Sequence, residues 1–261
     1  MNIIQQSGGC KGKKGFDFFN IFAAMNKKGK LYLIPTTLGD TELSAVLPAT
    51  VLVTIPKLKI FVVEELRTAR RFLSKAGHKG QIDSLTLYEL NEHTPVHEVD
   101  RFVKVLEGGD DIGLMSEAGL PAVADPGALL VAAAQERDIT VIPFVGPSSL
   151  MLALMGSGFN GQSFAFNGYL PVKPEERRSK IKLLEKLSAQ LDQTQIMIET
   201  PYRNDAFFKE LVSVCQPNTK ICVAADITLP TEFIKTKTAS QWQKGMPEIG
   251  KRPCVFLIYA R

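Results

Sequence analysis

The stretch Ile112-Gly113-Leu114-Met115-Ser116-Glu117-Ala118-Gly119-Leu120-Pro121-Ala122-Val123-Ala124-Asp125-Pro126-Gly127 decides how the chain is read. Its first four residues are apolar without alternation, the pattern of a strand covered on both faces. A turn-rich segment follows. Pro126 then stands where a helix tolerates proline, in the first turn, with Asp125 before it as a helix cap. Similar apolar runs lie upstream at Leu31–Ile34, Ile60–Val63 and Leu85–Tyr88, and downstream at Ile139–Ile142. Between them, Glu65–Ala76 sets Leu66, Ala69, Leu73 and Ala76 on one helical stripe, and Val96–Leu106 does the same with Val99, Val103 and Leu106. This half is predicted to be an α/β domain with a mainly parallel sheet.

A second series of runs begins at Phe164–Phe166 and continues through Gln195–Ile198, Ile221–Ala224, Phe233–Thr236 and Cys254–Tyr259. The last two leave no room for a long helix between them, which predicts antiparallel pairing and hence a mixed sheet. Pro174–Leu191 reads as an amphipathic helix with Ile181, Leu184, Leu187 and Leu191 inside. The fold class expected is therefore α/β, two α/β domains, the first with a mainly parallel sheet and the second with a mixed one.

At roughly 150 residues per domain, the 261 residues make two modest domains, 25–145 and 146–261, with the boundary near Gly146-Pro147. Residues 1–24 are an extension that lacks the apolar core and cleavage site of a secretory signal, and Met25 is a candidate start. A hydrophobic fraction of 45% beside 22% charged residues excludes a disordered chain. The formal net charge of +4 permits an acidic or nucleic-acid partner without requiring one. Cys10, Cys215, Cys222 and Cys254 have no zinc-type spacing, so no metal is expected and the thiols are read as reduced, in a cytoplasmic protein. The uncharged stretch between Asp138 and Lys173 is broken by glycines and prolines, so no membrane span is expected. His78, His93 and His97 lie in polar stretches and are expected at the surface.

Three turn-rich loops directly follow predicted strands: Pro35-Thr36-Thr37-Leu38-Gly39-Asp40, Ser116 to Pro121, and Gly146-Pro147-Ser148-Ser149. In open α/β sheets, ligands bind outside the carboxyl ends of the strands, so three such loops point to a pocket. No GxGxxG, P-loop or GxSxG motif is present, which argues against a nicotinamide dehydrogenase, a kinase and an α/β-hydrolase.

The motifs PTTLGD (35–40), EELR (64–67), Asn91-Glu92, SEAGLP (116–121) with Asp125-Pro126-Gly127, GPS (146–148), NGYLP (167–171) and ETPYR (199–203) follow one another along the chain. In that order and spacing the chain resembles the tetrapyrrole methylase superfamily of S-adenosylmethionine-dependent methyltransferases. Within it, the likeness is nearest to the ribosomal RNA small-subunit methyltransferase I family, which methylates a cytidine ribose 2′-hydroxyl. The chain departs from that family's pattern at Glu117, Leu120, Asn167, Tyr202 and Ala225-Asp226-Ile227-Thr228, and the segment after PTTLGD is shorter.

The resemblance implies S-adenosyl-L-methionine folded in the cleft between the domains. Its contacts would be Pro35, Ser116, Glu117, Ala118, Gly119, Gly146, Pro147 and Ser148 on one side, and Tyr169, Leu170, Thr200 and Pro201 on the other. A sugar hydroxyl is a poor nucleophile at neutral pH, so a carboxylate beside it would help, and Glu64 and Glu199 are the catalytic candidates by motif position. Substrate contacts are expected from Thr36, Gly39, Asn91, Glu92 and Arg203. Two basic groups would grip phosphates, Arg67, Arg70 and Arg71 in the first domain and Lys173, Arg177 and Arg178 in the second. Implied partners are ribosomal RNA or the small ribosomal subunit, and a second copy in a homodimer. Two rival readings remain at this point: a methyltransferase for a tetrapyrrole-like small molecule, and a non-catalytic RNA-binding or assembly protein that kept the fold. The glycine-rich VGxGPGD turn of tetrapyrrole enzymes is absent, which counts against the first.

Overall fold

The computed structural model describes residues 27–95 and 97–261. The extension 1–24, Met25, Cys10 and Val96 lie outside the described residues. The first lobe carries a five-stranded sheet of β1 (Leu31–Leu33), β2 (Ile60–Val63), β3 (Thr86–Glu89), β4 (Ile112–Met115) and β5 (Val141–Pro143) in the order β3-β2-β4-β1-β5. Every pairing is parallel, with Leu31 opposite both Ile112 and Val141. Adjacent residues of one strand serve opposite cores. Phe61 and Val63 pack with Leu73 and Met115 on one face, and Val62 packs with Phe102, Leu114 and Leu130 on the other. That two-sided burial is why these strands are apolar throughout rather than alternating.

The second lobe holds β6 (Phe164–Tyr169), β7 (Thr194–Ile198), β8 (Lys220–Ala225), β9 (Phe233–Thr238) and β10 (Cys254–Tyr259), ordered β6-β7-β10-β8-β9. β6 and β7 are parallel and the other pairings antiparallel. The mixed sheet and its antiparallel character agree with the sequence pattern, although the last two strands do not pair with each other, because β8 lies between them. The helix Ser149–Ser157 leaves the end of β5 and lays Leu150, Ala153 and Leu154 on the second sheet against Ile196, Ala224 and Leu257. Burying each such leucine is worth roughly 1.5–3 kcal/mol, which makes this helix the mechanical joint between the lobes.

Three expectations are corrected. Leu66 is 36% exposed because it is the first residue of the helix Leu66–Leu73, and a helical side chain leans toward the N-terminus, here past the packed surface. Leu191 is exposed because the inward stripe of Pro174–Leu191 runs through Ile181, Leu184, Glu185 and Ser188, on which the next position is 192. Glu185 can occupy that stripe because its Oε1 accepts from the Gln216 amide at 2.7 Å and from the Thr219 hydroxyl at 2.5 Å. His78, finally, is buried. A π-turn over Ser74–His78, with Gly77 at φ 118°, folds it inward to Ile55 O at 3.0 Å, edge-on to Phe61. Cys215, Cys222 and Cys254 are buried free thiols, pushed upward in pKa mainly by burial. No helix among the described residues is long and apolar enough to cross a membrane, and they contain no grouping of three or more potential metal ligands.

Candidate active site in the interlobe cleft

All five parallel strands of the first sheet end on one rim, so the loops after β1, β2, β4 and β5 converge there. They are locked to one another. The Thr36 amide donates to the Gly119 carbonyl at 2.9 Å, and the Glu117 amide donates to Oε2 of Glu64 at 2.9 Å. Gly119 sits at φ +79°, where a Cβ would lie 3.2 Å from Leu38 and 3.4 Å from the Pro147 carbonyl. A Cβ on Gly146 would lie 2.1 Å from the Cβ of Pro35, so these two loops touch backbone to ring.

The loop between β4 and the helix Gly127–Glu136 is strained. Ala122 and Ala124 both adopt positive φ, 65° and 62°, in a region that costs a residue with a Cβ about 1–2 kcal/mol. Asp125 holds the loop in this shape, its Oδ2 accepting from the Ala122 amide at 2.8 Å and its Oδ1 from the Gly127 amide at 2.6 Å. Burial is the main cause that lifts the Asp125 carboxyl to about 6, and the nearby Glu64 charge adds to it.

The opposite wall comes from the second lobe. Between Phe166 and Tyr169 the β6–β7 register shifts: Phe166 pairs with Ile196, and Tyr169 with Ile198. Three steps on β6 thus answer two on β7. This is a β-bulge, with Gly168 at φ +62°. The extra residue restores Tyr169 to the face that Phe166 uses, and both rings line the cleft with Ile198. The cleft encloses a cavity of about 260 Å³, lined on the first-lobe side by Glu64, Ser116, Ala118, Gly119 and Asp125 and at the joint by Ser148 and Ser149.

Of the proposed cofactor contacts, Ser116, Ala118, Gly119, Ser148 and Tyr169 meet in this cavity, together with the catalytic candidate Glu64. Pro35, Thr36, Gly146 and Pro147 lie in the loops directly behind it, and Glu117 joins them through its amide while its side chain is exposed. The Thr36 hydroxyl there is buried and has no hydrogen-bond partner among the described residues. Gly39 lies against Leu229, where the first-lobe loop meets the second lobe. Leu170 does not line the cavity: it is 3% exposed in the core of the second lobe with Ile181 and Leu184. Thr200 and Pro201 lie on the turn after β7. The other catalytic candidate, Glu199, is also in this turn. Its Oε1 accepts from the Thr200 amide at 2.6 Å and from Arg203 at 2.6 and 3.1 Å, so its carboxylate holds the turn.

Asn91 and Glu92 lie beyond β3, the edge strand. Asn91 closes its own turn by accepting from the His93 amide, and Glu92 is exposed. Arg67, Arg70 and Arg71 are exposed on the helix that Glu65 caps, whose carboxylate accepts from the Arg67 and Thr68 amides. In the second group Lys173 is exposed and pairs with Glu176, whereas Arg177 and Arg178 both bind the buried Glu210 and brace two helices together. Sequence reasoning missed Asp125, Phe166 and Ile198 as cleft residues. As a helix cap and a member of the Asp125-Pro126-Gly127 motif, Asp125 carries no local sign of lining a cleft, and the glycine inside β6 is the available signal for the bulge.

No family model matches the chain. The ribosomal RNA small subunit methyltransferase I of Neisseria meningitidis serogroup B is 30% identical over 224 residues, 86% of this chain and 72% of that protein. The enzyme of the same name from Mesorhizobium japonicum is 31% identical over 208 residues, 80% of this chain and 67% of that one. Among solved structures, uroporphyrin-III C-methyltransferase from Thermus thermophilus, complexed with S-adenosyl homocysteine, superposes with a TM-score of 0.54 at 16% identity, covering 88% of this chain and 97% of that one. This likeness confirms the two-lobed α/β fold.

Proposed function

The chain belongs to the ribosomal RNA small subunit methyltransferase I family, and on that premise we propose that it transfers a methyl group from S-adenosyl-L-methionine to small-subunit ribosomal RNA, at a ribose 2′-hydroxyl. The observation that carries the reading is the cavity between the lobes, where the β2, β4 and β5 loops face the bulged end of β6. Its residues fit an adenosyl ligand. Phe166 and Tyr169 offer aromatic surface to a base, Ser116 and Ser148 offer hydroxyls, and Gly119 brings backbone to the cavity wall. The orphaned Thr36 hydroxyl on the rim is a further polar group in need of a partner.

The cofactor supplies an electrophilic methyl carbon on a sulfonium, so the protein's task is chiefly to align and to manage one proton. Glu64 suits the proton. One of its oxygens is fixed by the Glu117 amide, which orients the other toward an incoming hydroxyl as general base. Glu199 serves instead as the brace of the turn that carries Thr200, Pro201 and Arg203. The exposed cations Arg67, Arg70, Arg71 and Lys173 supply the phosphate contacts. The same reading includes a cytoplasmic protein that works on the small ribosomal subunit as a homodimer, which sedimentation of the purified protein would check.

The test is transfer of a labelled methyl group from S-adenosylmethionine into small-subunit RNA, followed by mapping of ribose methylation in cells with and without the protein. One ribose mark that depends on the protein is the expected result. Label in a base would withdraw the 2′-hydroxyl, and label in a small tetrapyrrole but not in RNA would withdraw the substrate class.

A further inference from the structure

Tyr202 is 79% exposed and carries a cation against one face of its ring. It sits in the single helical turn Pro201–Arg203, four residues past Ile198 of the cleft wall. Two neighbouring segments hold it. Glu199 fixes the turn from below through Arg203. Behind it, Asn204 is fully buried and donates to the carbonyls of Gly250 and Arg252 at 3.2 and 2.7 Å, while Asp205 accepts from the Ile249 and Gly250 amides at 2.7 and 3.0 Å. The 249–252 turn is thereby bolted to the start of the helix that follows Tyr202. From it the Lys251 ammonium reaches 4.9 Å over the Tyr202 ring, a cation–π contact.

The ring is therefore pre-set on a rigid turn with a positive charge on one face and the other face open. Sheet register sets its turn beside the end of the cleft wall: Ile198 pairs with Tyr169 on one side and Val255 on the other, so the turns after β7 and before β10 are neighbours at this end of the sheet. A rigid exposed aromatic backed by a cation is the arrangement that stacks unpaired bases in single-stranded nucleic acid, since every base offers a π face and the cation attracts the backbone. Duplex RNA presents its stacked bases to no such ring.

We propose that Tyr202, backed by Lys251, is a stacking platform for an unpaired base flanking the acceptor nucleotide, so that the enzyme selects a single-stranded segment of its RNA. The proposal rests on the RNA methyltransferase reading above.

The experiment compares wild type, Tyr202→Ala and Tyr202→Phe for binding of a fluorescein-labelled 15-nucleotide single-stranded RNA and of the same strand in duplex. S-adenosylmethionine calorimetry and methyl transfer to small-subunit RNA are run in parallel. Tyr202→Ala is expected to weaken single-strand binding about 5- to 150-fold, the equivalent of ~1–3 kcal/mol for one base stacked on an aromatic ring. Tyr202→Phe should retain the affinity, the duplex should bind all three proteins equally, and cofactor affinity should not move. Unchanged single-strand binding by Tyr202→Ala, equal losses on single strand and duplex, a Tyr202→Phe variant as weak as alanine, or a wild type with no preference for the single strand each overturns the platform. A wild type that binds the single strand but methylates no RNA would instead sink the reading on which the platform rests.

Discussion

Replacing Arg203 with methionine removes the partner of a carboxylate whose side chain is only 2% exposed. Glu199 would keep a single amide donor, that of Thr200, where it now has three contacts. Breaking a buried pair from one side costs about 3–5 kcal/mol, because the remaining charge stays desolvated. The Arg203 side chain is 35% exposed, so water can enter where it stood, and the lower figure of about 3 kcal/mol applies. In urea denaturation the midpoint should fall, and a melt should drop by roughly 6–12 °C for a chain of this size. The double variant Glu199→Gln/Arg203→Met removes charge and partner together and should recover most of the loss. A single variant costing under about 1 kcal/mol, or a double variant costing as much as the single, would show that the pair does not hold the turn.

Asp125 titrates in the folded protein near 6, against 3.8 when free. Between those values the folded chain holds a proton that the unfolded chain has released, so this group's contribution to stability falls as pH rises through the window, by roughly 2–3 kcal/mol. Subtracting the urea stability profile of Asp125→Asn from that of wild type should reveal this slope, and a flat difference from pH 4 to 7 would contradict it. Gly146→Ala places a methyl group 2.1 Å from the Cβ of Pro35 and should destabilise by about 1–3 kcal/mol while raising the Kd for S-adenosylmethionine; unaltered melting and binding would mean the two loops part freely. Glu64→Gln retains an oxygen for the Glu117 amide but cannot take a proton. Its methyl transfer rate should fall by about 100- to 10,000-fold with cofactor affinity intact, whereas an undiminished rate would assign the proton elsewhere.

Strand patterning carried most of the architecture. The uninterrupted apolar runs at β2 and β4 announced burial on both faces, and both faces are covered. The loops after β4 and β5 were legible as a ligand rim because turn residues directly follow those strands. What stayed hidden depends on contacts distant in sequence. Leu170 follows the strand that lines the cleft but turns into the core, and nothing local distinguishes it from Tyr169. Arg177 and Arg178 look like a solvated basic face until Glu210, 33 and 32 residues away, claims both. His78 sits among polar neighbours, and only the π-turn carries it inside.

The bulge in β6 inverts the parity of everything downstream of it on that strand. Were the kink ironed out with every residue kept, Gly168 would oppose Ile198 and Tyr169 would pass to the opposite face, its ring turned out of the cleft; deleting Gly168 would instead leave Tyr169 opposite Ile198 on the face it now uses. The aromatic wall therefore hangs on the kink itself, and a residue at 168 that cannot hold φ +62° would threaten it by straightening the strand rather than through any contact of its own.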